Sequence, residues 1–170
     1  MKIAGRQSSG GEVLPQGLAI AARPGKSGLM FFMARNFLTA AGVIQRHCGD
    51  DTALPAISRR LAELPAGARA ELLLEVDGPA DHIAFESAAE IKVVWVHRGS
   101  AVAGALPLLD ALRRMRMPAG FFHAGIGCES AQAKALRAYL VTECRAHPEC
   151  IRASGYWRKG SPATHDSLDA

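Results

Sequence analysis

GDDTALPAISRRLAELPAGARAELLLEV, residues 49–76, is the stretch that decides the fold. A glycine and two acids precede Thr52, and such side chains cap a helix N-terminus. Ala53, Leu54, Ile57, Leu61 and Leu64 then recur at helical spacing, which predicts an amphipathic helix. Pro55 falls in its first turn, where a missing N–H costs little, and Pro65-Ala66-Gly67 ends it. Ala70-Glu71-Leu72-Leu73-Leu74-Glu75-Val76 follows, an apolar run of strand length bounded by Gly67 and Asp77-Gly78-Pro79. A helix followed at once by a buried strand is the repeating half of a parallel α/β sheet.

The same alternation continues downstream. Ile91-Lys92-Val93-Val94-Trp95-Val96 is β-branched and aromatic almost throughout and predicts a second strand. A helix is expected over Ala105–Met115, stopped by Pro118 and Gly120, then a short strand at Phe121–Ala124. Gly125-Ile126-Gly127 reads as a turn into a long helix, about Ser130 to Cys144, with Ala133, Leu136, Leu140 and Val141 on one face. A last strand is expected around Cys150–Ser154, then Gly155 to Gly160, and the final ten residues read as frayed. The fold class is therefore α/β, a doubly wound parallel sheet with helices on both faces. Ligands of such sheets lie beyond the carboxyl ends of the strands: here Gly49, the loop after Val76, the turn after Val96 and the turn at Gly125–Gly127.

Composition narrows the function classes. With 49% hydrophobic and 21% charged residues in 170, the chain has the make-up of a globular protein with room for one ordinary domain. A net charge of +4 suits an anionic small molecule and is too weak to argue for nucleic acid. Cys48, Cys128, Cys144 and Cys150 match no zinc framework. Cys144 and Cys150 could pair, but free thiols in a reducing cytoplasm are the preferred reading. Lys2 and Arg6 precede polar residues rather than an apolar targeting segment, and Arg35 and Asn36 interrupt the only long apolar stretch. A cytoplasmic protein without membrane insertion is the expectation. The six histidines show no ligand spacing, so no metal site is assigned, and no catalytic residue can be named.

Four motifs invite a functional reading beside a plainer one. Gly25-Lys26-Ser27 lacks the glycine of a phosphate loop five positions earlier, where Ile20 stands, and reads as a surface turn. Gly125-x-Gly127 is either a phosphate-facing turn or an ordinary tight one. Gly49 to Pro55 is either a structural cap or a ligand loop. Tyr156-Trp157-Arg158-Lys159 is either a strand end with its cations in water, or a platform for stacking and anion binding.

Three segments together resemble the carboxyl-terminal domain of the siderophore-interacting protein family, flavin-dependent ferric-siderophore reductases. They are Gly49 to Ile57 with Arg60-Leu61 and Leu64 to Gly67; Val94-Trp95-Val96-His97-Arg98-Gly99; and Glu129, Lys134 to Arg137, and Ser154 to Gly160, whose Gly-Tyr-Trp-Arg string is the most distinctive. The resemblance implies a ferredoxin-reductase-like architecture: an FAD-binding antiparallel barrel, then an NAD(P)H-binding α/β domain. It implies NADH or NADPH and FAD as cofactors and a ferric siderophore as partner. By the family pattern Gly49, Asp50 and Thr52 face the nucleotide at the first strand–helix turn, and Glu129 sits in the second. Trp157 lies by the flavin, with Arg158 and Lys159 toward the incoming substrate.

Residues 47–162 are thus assigned to the NAD(P)H-binding domain and 163–170 to a flexible tail. Residues 1–46 form a divergent segment, either a remnant of the barrel's end or an altered version of it. The barrel's Arg-x-Tyr-Thr/Ser flavin signature is absent; the nearest string, Arg137-Ala138-Tyr139-Leu140, falls in an expected helix. Cys128 stands where the family carries a small residue. Gln45, Arg46, His47 and Cys48 occupy what should be an apolar strand, and a central strand of that composition is expected to suffer. The leading expectation is a short form of the reductase that needs a flavin domain from elsewhere. The alternatives are a non-catalytic remnant and a small nucleotide-binding or interaction module.

Overall fold

A computed structural model describes residues 43–100, 105–118, 122–161 and 166–168. The expectations for residues 1–42, including the turn at Gly25-Lys26-Ser27, lie outside the described residues.

In chain order the elements are β1 (Ile44–Asp50), α1 (Leu54–Ala62), β2 (Arg69–Val76), β3 (Glu90–His97), α2 (Pro107–Arg114), β4 (Phe122–Glu129), α3 (Ser130–Thr142), β5 (Ile151–Trp157) and β6 (Asp166–Ser167). They build a six-stranded sheet of order β3-β2-β1-β4-β5-β6. All neighbours are parallel except β5 and β6. From β1 the chain first winds outward to β3 and then returns to the other side of β1 at β4. The winding direction reverses between β1 and β4, and that reversal opens a crevice at their carboxyl ends.

Strand alternation sorts the core onto two faces. Leu72 and Leu74 face α1, where Ile57, Leu61 and Leu64 cover them. Leu73, Cys48, Ala124, Ile126 and Ala153 face the other way, under Leu108 and Leu112 of α2 and Leu136 and Leu140 of α3. Gly67 ends the α1 segment at φ +83°, a left-handed conformation open to glycine at little cost.

Four sequence expectations change. First, β1 is central and intact despite its polar residues. Arg46 is fully buried, but it forms an ion pair with Glu71, its cross-strand neighbour on β2, and donates to the Arg116 carbonyl at 3.1 Å. The expected penalty for a buried charge is offset by those partners. Second, Gly125-Ile126-Gly127 is not a turn. β4 runs straight through it to Glu129, and the glycines serve as low points on the strand: a Cβ at Gly125 would lie 2.8 Å from His47 Nδ1, and one at Gly127 3.2 Å from the Ala53 Cβ. Third, β5 extends through Gly155, Tyr156 and Trp157 rather than ending at Ser154. Fourth, the segment expected to fray contributes Asp166 and Ser167, which pair with β5. The domain boundary placed after residue 46 falls inside β1. Among the described residues no helix is long and apolar enough to cross a membrane.

Candidate functional site

The crevice is built around one carboxylate. Asp50, the last residue of β1, is 2% exposed and accepts four hydrogen bonds. Its Oδ1 takes the Thr52 N–H at 3.0 Å and the Thr52 hydroxyl at 2.5 Å. Its Oδ2 takes the Glu129 N–H at 3.1 Å and the Trp157 indole N–H at 2.8 Å. The ends of β1, β4 and β5 are thereby tied to a single side chain. Asp50 is saturated by protein donors and holds Thr52 and Trp157 in place. Thr52 itself is exposed, and Trp157 is 37% exposed with its ring fixed at one end.

Gly49 stands just behind. A Cβ there would meet the Ala53 Cβ at 2.8 Å and the Gly127 carbonyl at 2.9 Å, so glycine lets the start of α1 approach β4. Glu129 caps α3: its Oε2 accepts from the Ala131 N–H at 2.7 Å and the Gln132 N–H at 3.1 Å. The first-turn amides of α3, the groups a phosphate would need there, are already covered by a carboxylate. Arg158 is held by Asp166 at 2.8 Å, and Lys159 is exposed. The structure thus brings Gly49, Asp50, Thr52, Glu129 and Trp157 to one crevice, with Arg158 and Lys159 just beyond the end of β5.

A second cluster went unassigned in the sequence. Arg98, immediately after β3, reaches Asp51 at 2.6 Å, Asp77 at 2.5 Å and Glu75 at 3.2 Å. Burial alone lowers the guanidinium pKa, but the hydrogen bonds it donates to those carboxylates outweigh it and hold the group charged. The 5%-exposed Glu75 also accepts from the Gln132 amide at 2.8 Å, and the Gln132 carbonyl accepts from the first turn of α2 at Leu108 N, 3.1 Å. One continuous polar network therefore joins the ends of β1, β2 and β3 to both α2 and α3. The signal for it lay in Glu75, an acid that follows Leu72-Leu73-Leu74 at the buried end of β2, because a buried acid needs a partner.

Burial pushes the Cys48 thiol up to about 12, and it raises Cys128 as well, helped by Asp50. Neither sulfur beneath the crevice is a thiolate nucleophile. Among the described residues no group of three or more His, Cys, Asp or Glu side chains could hold a metal ion.

Comparison with known proteins agrees with this architecture. The profile of the siderophore-interacting protein family matches residues 45–160. Uncharacterized proteins from Mycobacterium bovis and Mycobacterium tuberculosis are each 34% identical over 122 residues, 66% of this chain and 43% of theirs. The crystal structure of a siderophore utilization protein from T. fusca superposes with a TM-score of 0.64 at 29% identity, over 71% of this chain and 47% of that one. The siderophore-interacting protein SipS from Aeromonas hydrophila shares the fold, with a TM-score of 0.62 at 23% identity over 72% and 49%. The chain spans less than half the length of each of these relatives.

Proposed function

The chain belongs to the siderophore-interacting protein family, and on that footing we propose that it is the NAD(P)H-binding half of a ferric-siderophore reductase. In that assembly electrons pass from NAD(P)H through FAD to chelated ferric iron. The observation that carries the reading is the crevice between β1 and β4, with Trp157 clamped at its rim. Doubly wound sheets take nucleotides at this place.

The residues present fit a nicotinamide nucleotide. The indole of Trp157 offers a flat, half-open face on which an aromatic ring stacks. The Thr52 hydroxyl donates to Asp50 and keeps its lone pairs for a ribose hydroxyl. Lys159 supplies an exposed positive charge for a diphosphate or an anionic iron chelate. Asp50 keeps Thr52 and Trp157 in position without ligand, so little ordering of these two is left to do on binding. Bound NAD(P)H supplies a hydride; this chain's residues bind and orient it. The fit to FAD is poorer. Its Arg-x-Tyr-Thr/Ser signature is missing from the sequence, and the described residues include no antiparallel barrel, so a separate flavin-binding domain is assigned that role.

Titration with NADH and NADPH, followed by tryptophan fluorescence, tests the reading. Saturable quenching that disappears in Trp157→Phe and weakens in Arg158→Ala/Lys159→Ala is expected, with no flavin absorbance in the purified protein. No saturable response to either nucleotide would remove the nucleotide-binding role.

A further inference from the structure

On the α1 face of the sheet, below the crevice, lies a cavity of about 170 Å³ whose walls include His47, Arg60, Gly125, Gly127, Arg152 and Tyr156. α1 covers β1 and β2 on this face, while α2 and α3 lie on the opposite one, so β4 and β5 present small and polar residues here. Three features distinguish the cavity from an ordinary packing defect.

Among the described residues its charged wall residues are both arginines, one from α1 and one from β5, and none that lines it is acidic. Glu63 pairs with Arg60 Nη1 at 3.2 Å but is not part of the wall. The second feature is an orphan: His47 Nε2 is buried and has no hydrogen-bond partner among the described residues. A buried imidazole nitrogen left unpaired costs free energy that a ligand could return. Third, Gly125 and Gly127 have no side chains to fill the space. A Cβ at Gly125 would collide with the His47 ring, and one at Gly127 would lie 3.1 Å from the Tyr156 ring, so both rings lie down against β4 as walls.

We propose that this cavity is a binding site for a compact oxyanion, a phosphate or carboxylate group, held by Arg60 and Arg152 and by a hydrogen bond from His47 Nε2. Guanidinium groups bind such anions through charge-assisted hydrogen bonds, and the imidazole supplies a third donor. Ala53 and Ile57 leave an apolar side to the cavity, which suits an anion attached to a small organic body. The site is separate from the nucleotide-binding reading and does not depend on it.

Charge on His47 follows occupancy. The groups around it are Arg60 of α1, which carries Glu63 as its ion-pair partner, His123 of β4, and Arg152 and Tyr156 of β5. Without an anion, burial and Arg60 hold the ring neutral, with a pKa lowered to about 4. An oxyanion beside it offsets Arg60 and favours the protonated ring, so binding takes up a proton. Binding therefore tightens as the pH falls.

Inorganic phosphate and acetate at millimolar concentration are the probes, added to the full chain. Two readouts are followed: the imidazole nitrogen signals of His47 by NMR, and the melting temperature at about pH 6 and about pH 8, on either side of the ordinary histidine range. Saturable shifts at His47, larger at the lower pH, are expected with at least one probe, and which probe acts identifies the anion class. Arg60→Gln/Arg152→Gln should weaken binding by about tenfold or more, the scale of a lost charge-assisted contact. Arg158→Ala/Lys159→Ala should leave it unchanged. No saturable shift with either probe overturns the proposal, as does a response that survives in the arginine double variant or vanishes with Lys159.

Discussion

Replacing Asp50 tests whether the crevice is held by one carboxylate, and two substitutions give different answers. Alanine removes both acceptor oxygens and strands the Thr52 N–H, the Glu129 N–H and the Trp157 indole N–H. Each buried donor left unpaired costs about 1–3 kcal/mol. Water reaches the exposed Thr52 and part of Trp157, so the sum for Asp50→Ala is about 3–5 kcal/mol. Asparagine keeps one acceptor. With its oxygen toward Glu129 and Trp157, its amide faces the Thr52 hydroxyl, which rotates to accept. Only the Thr52 N–H then loses its partner, and the cost of Asp50→Asn falls to about 1–2 kcal/mol. Urea unfolding followed by far-UV circular dichroism measures both. At a slope of about 2 kcal/mol per molar, the midpoint should drop by about 2 M for alanine and by about 0.5–1 M for asparagine. Trp157 fluorescence should shift to the red in the alanine variant only. Equal losses for the two variants, or a loss below about 1 kcal/mol for alanine, would refute the idea that these four hydrogen bonds hold the crevice.

Three further outcomes are expected. Glu71→Gln should cost about 3 kcal/mol, because it leaves Arg46 buried and charged, whereas Arg46→Met/Glu71→Leu should be close to neutral; urea midpoints decide. Since His47 titrates at about 4 in the fold and at 6.5 as its ordinary value, the unfolded chain binds more protons between those values; stability should fall as the pH drops from 6.5 to 4, by at most about 3 kcal/mol, and His47→Gln should flatten that part of the pH profile. Gly155→Ala places a methyl 2.3 Å from Ser130 Oγ and 2.9 Å from Ser130 Cα, and overpacking of about 1–3 kcal/mol should appear as a lowered melting temperature.

Periodic segments were readable and special ones were not. α1, β2 and β3 announced themselves because their burial follows from spacing alone, and the crevice followed from their order. β1 was harder, because Gln45, Arg46 and His47 look polar in isolation. What makes the buried Arg46 tolerable is across the strand at Glu71 and beyond it at Arg116, at sequence distances a local pattern does not contain. The glycines of β4 misled for a related reason: a turn and a close approach both require the absence of a side chain, and only the positions of His47, Ala53 and Tyr156 distinguish them. The residues expected at the nucleotide site do converge, but Asp50 turned from a ligand-facing acid into an inward-facing anchor. Two of its donors, Glu129 and Trp157, are remote in sequence, so nothing near residue 50 predicts that Oδ2 is taken as well as Oδ1.

Distance along the chain gives the Asp50 anchor a kinetic meaning as well. It joins residues 107 positions apart through Trp157 and 79 apart through Glu129. By contrast, β1, α1, β2 and β3 form one contiguous run, Ile44 to His97, that pairs through short connections. Contacts that close long loops carry the larger entropic penalty and tend to form late. The hydrogen bonds of Asp50 to Glu129 and Trp157 therefore belong to the last stage of folding, after the first half of the sheet has paired. Their loss should leave the folding rate nearly unchanged and speed unfolding, shortening the time the crevice stays assembled.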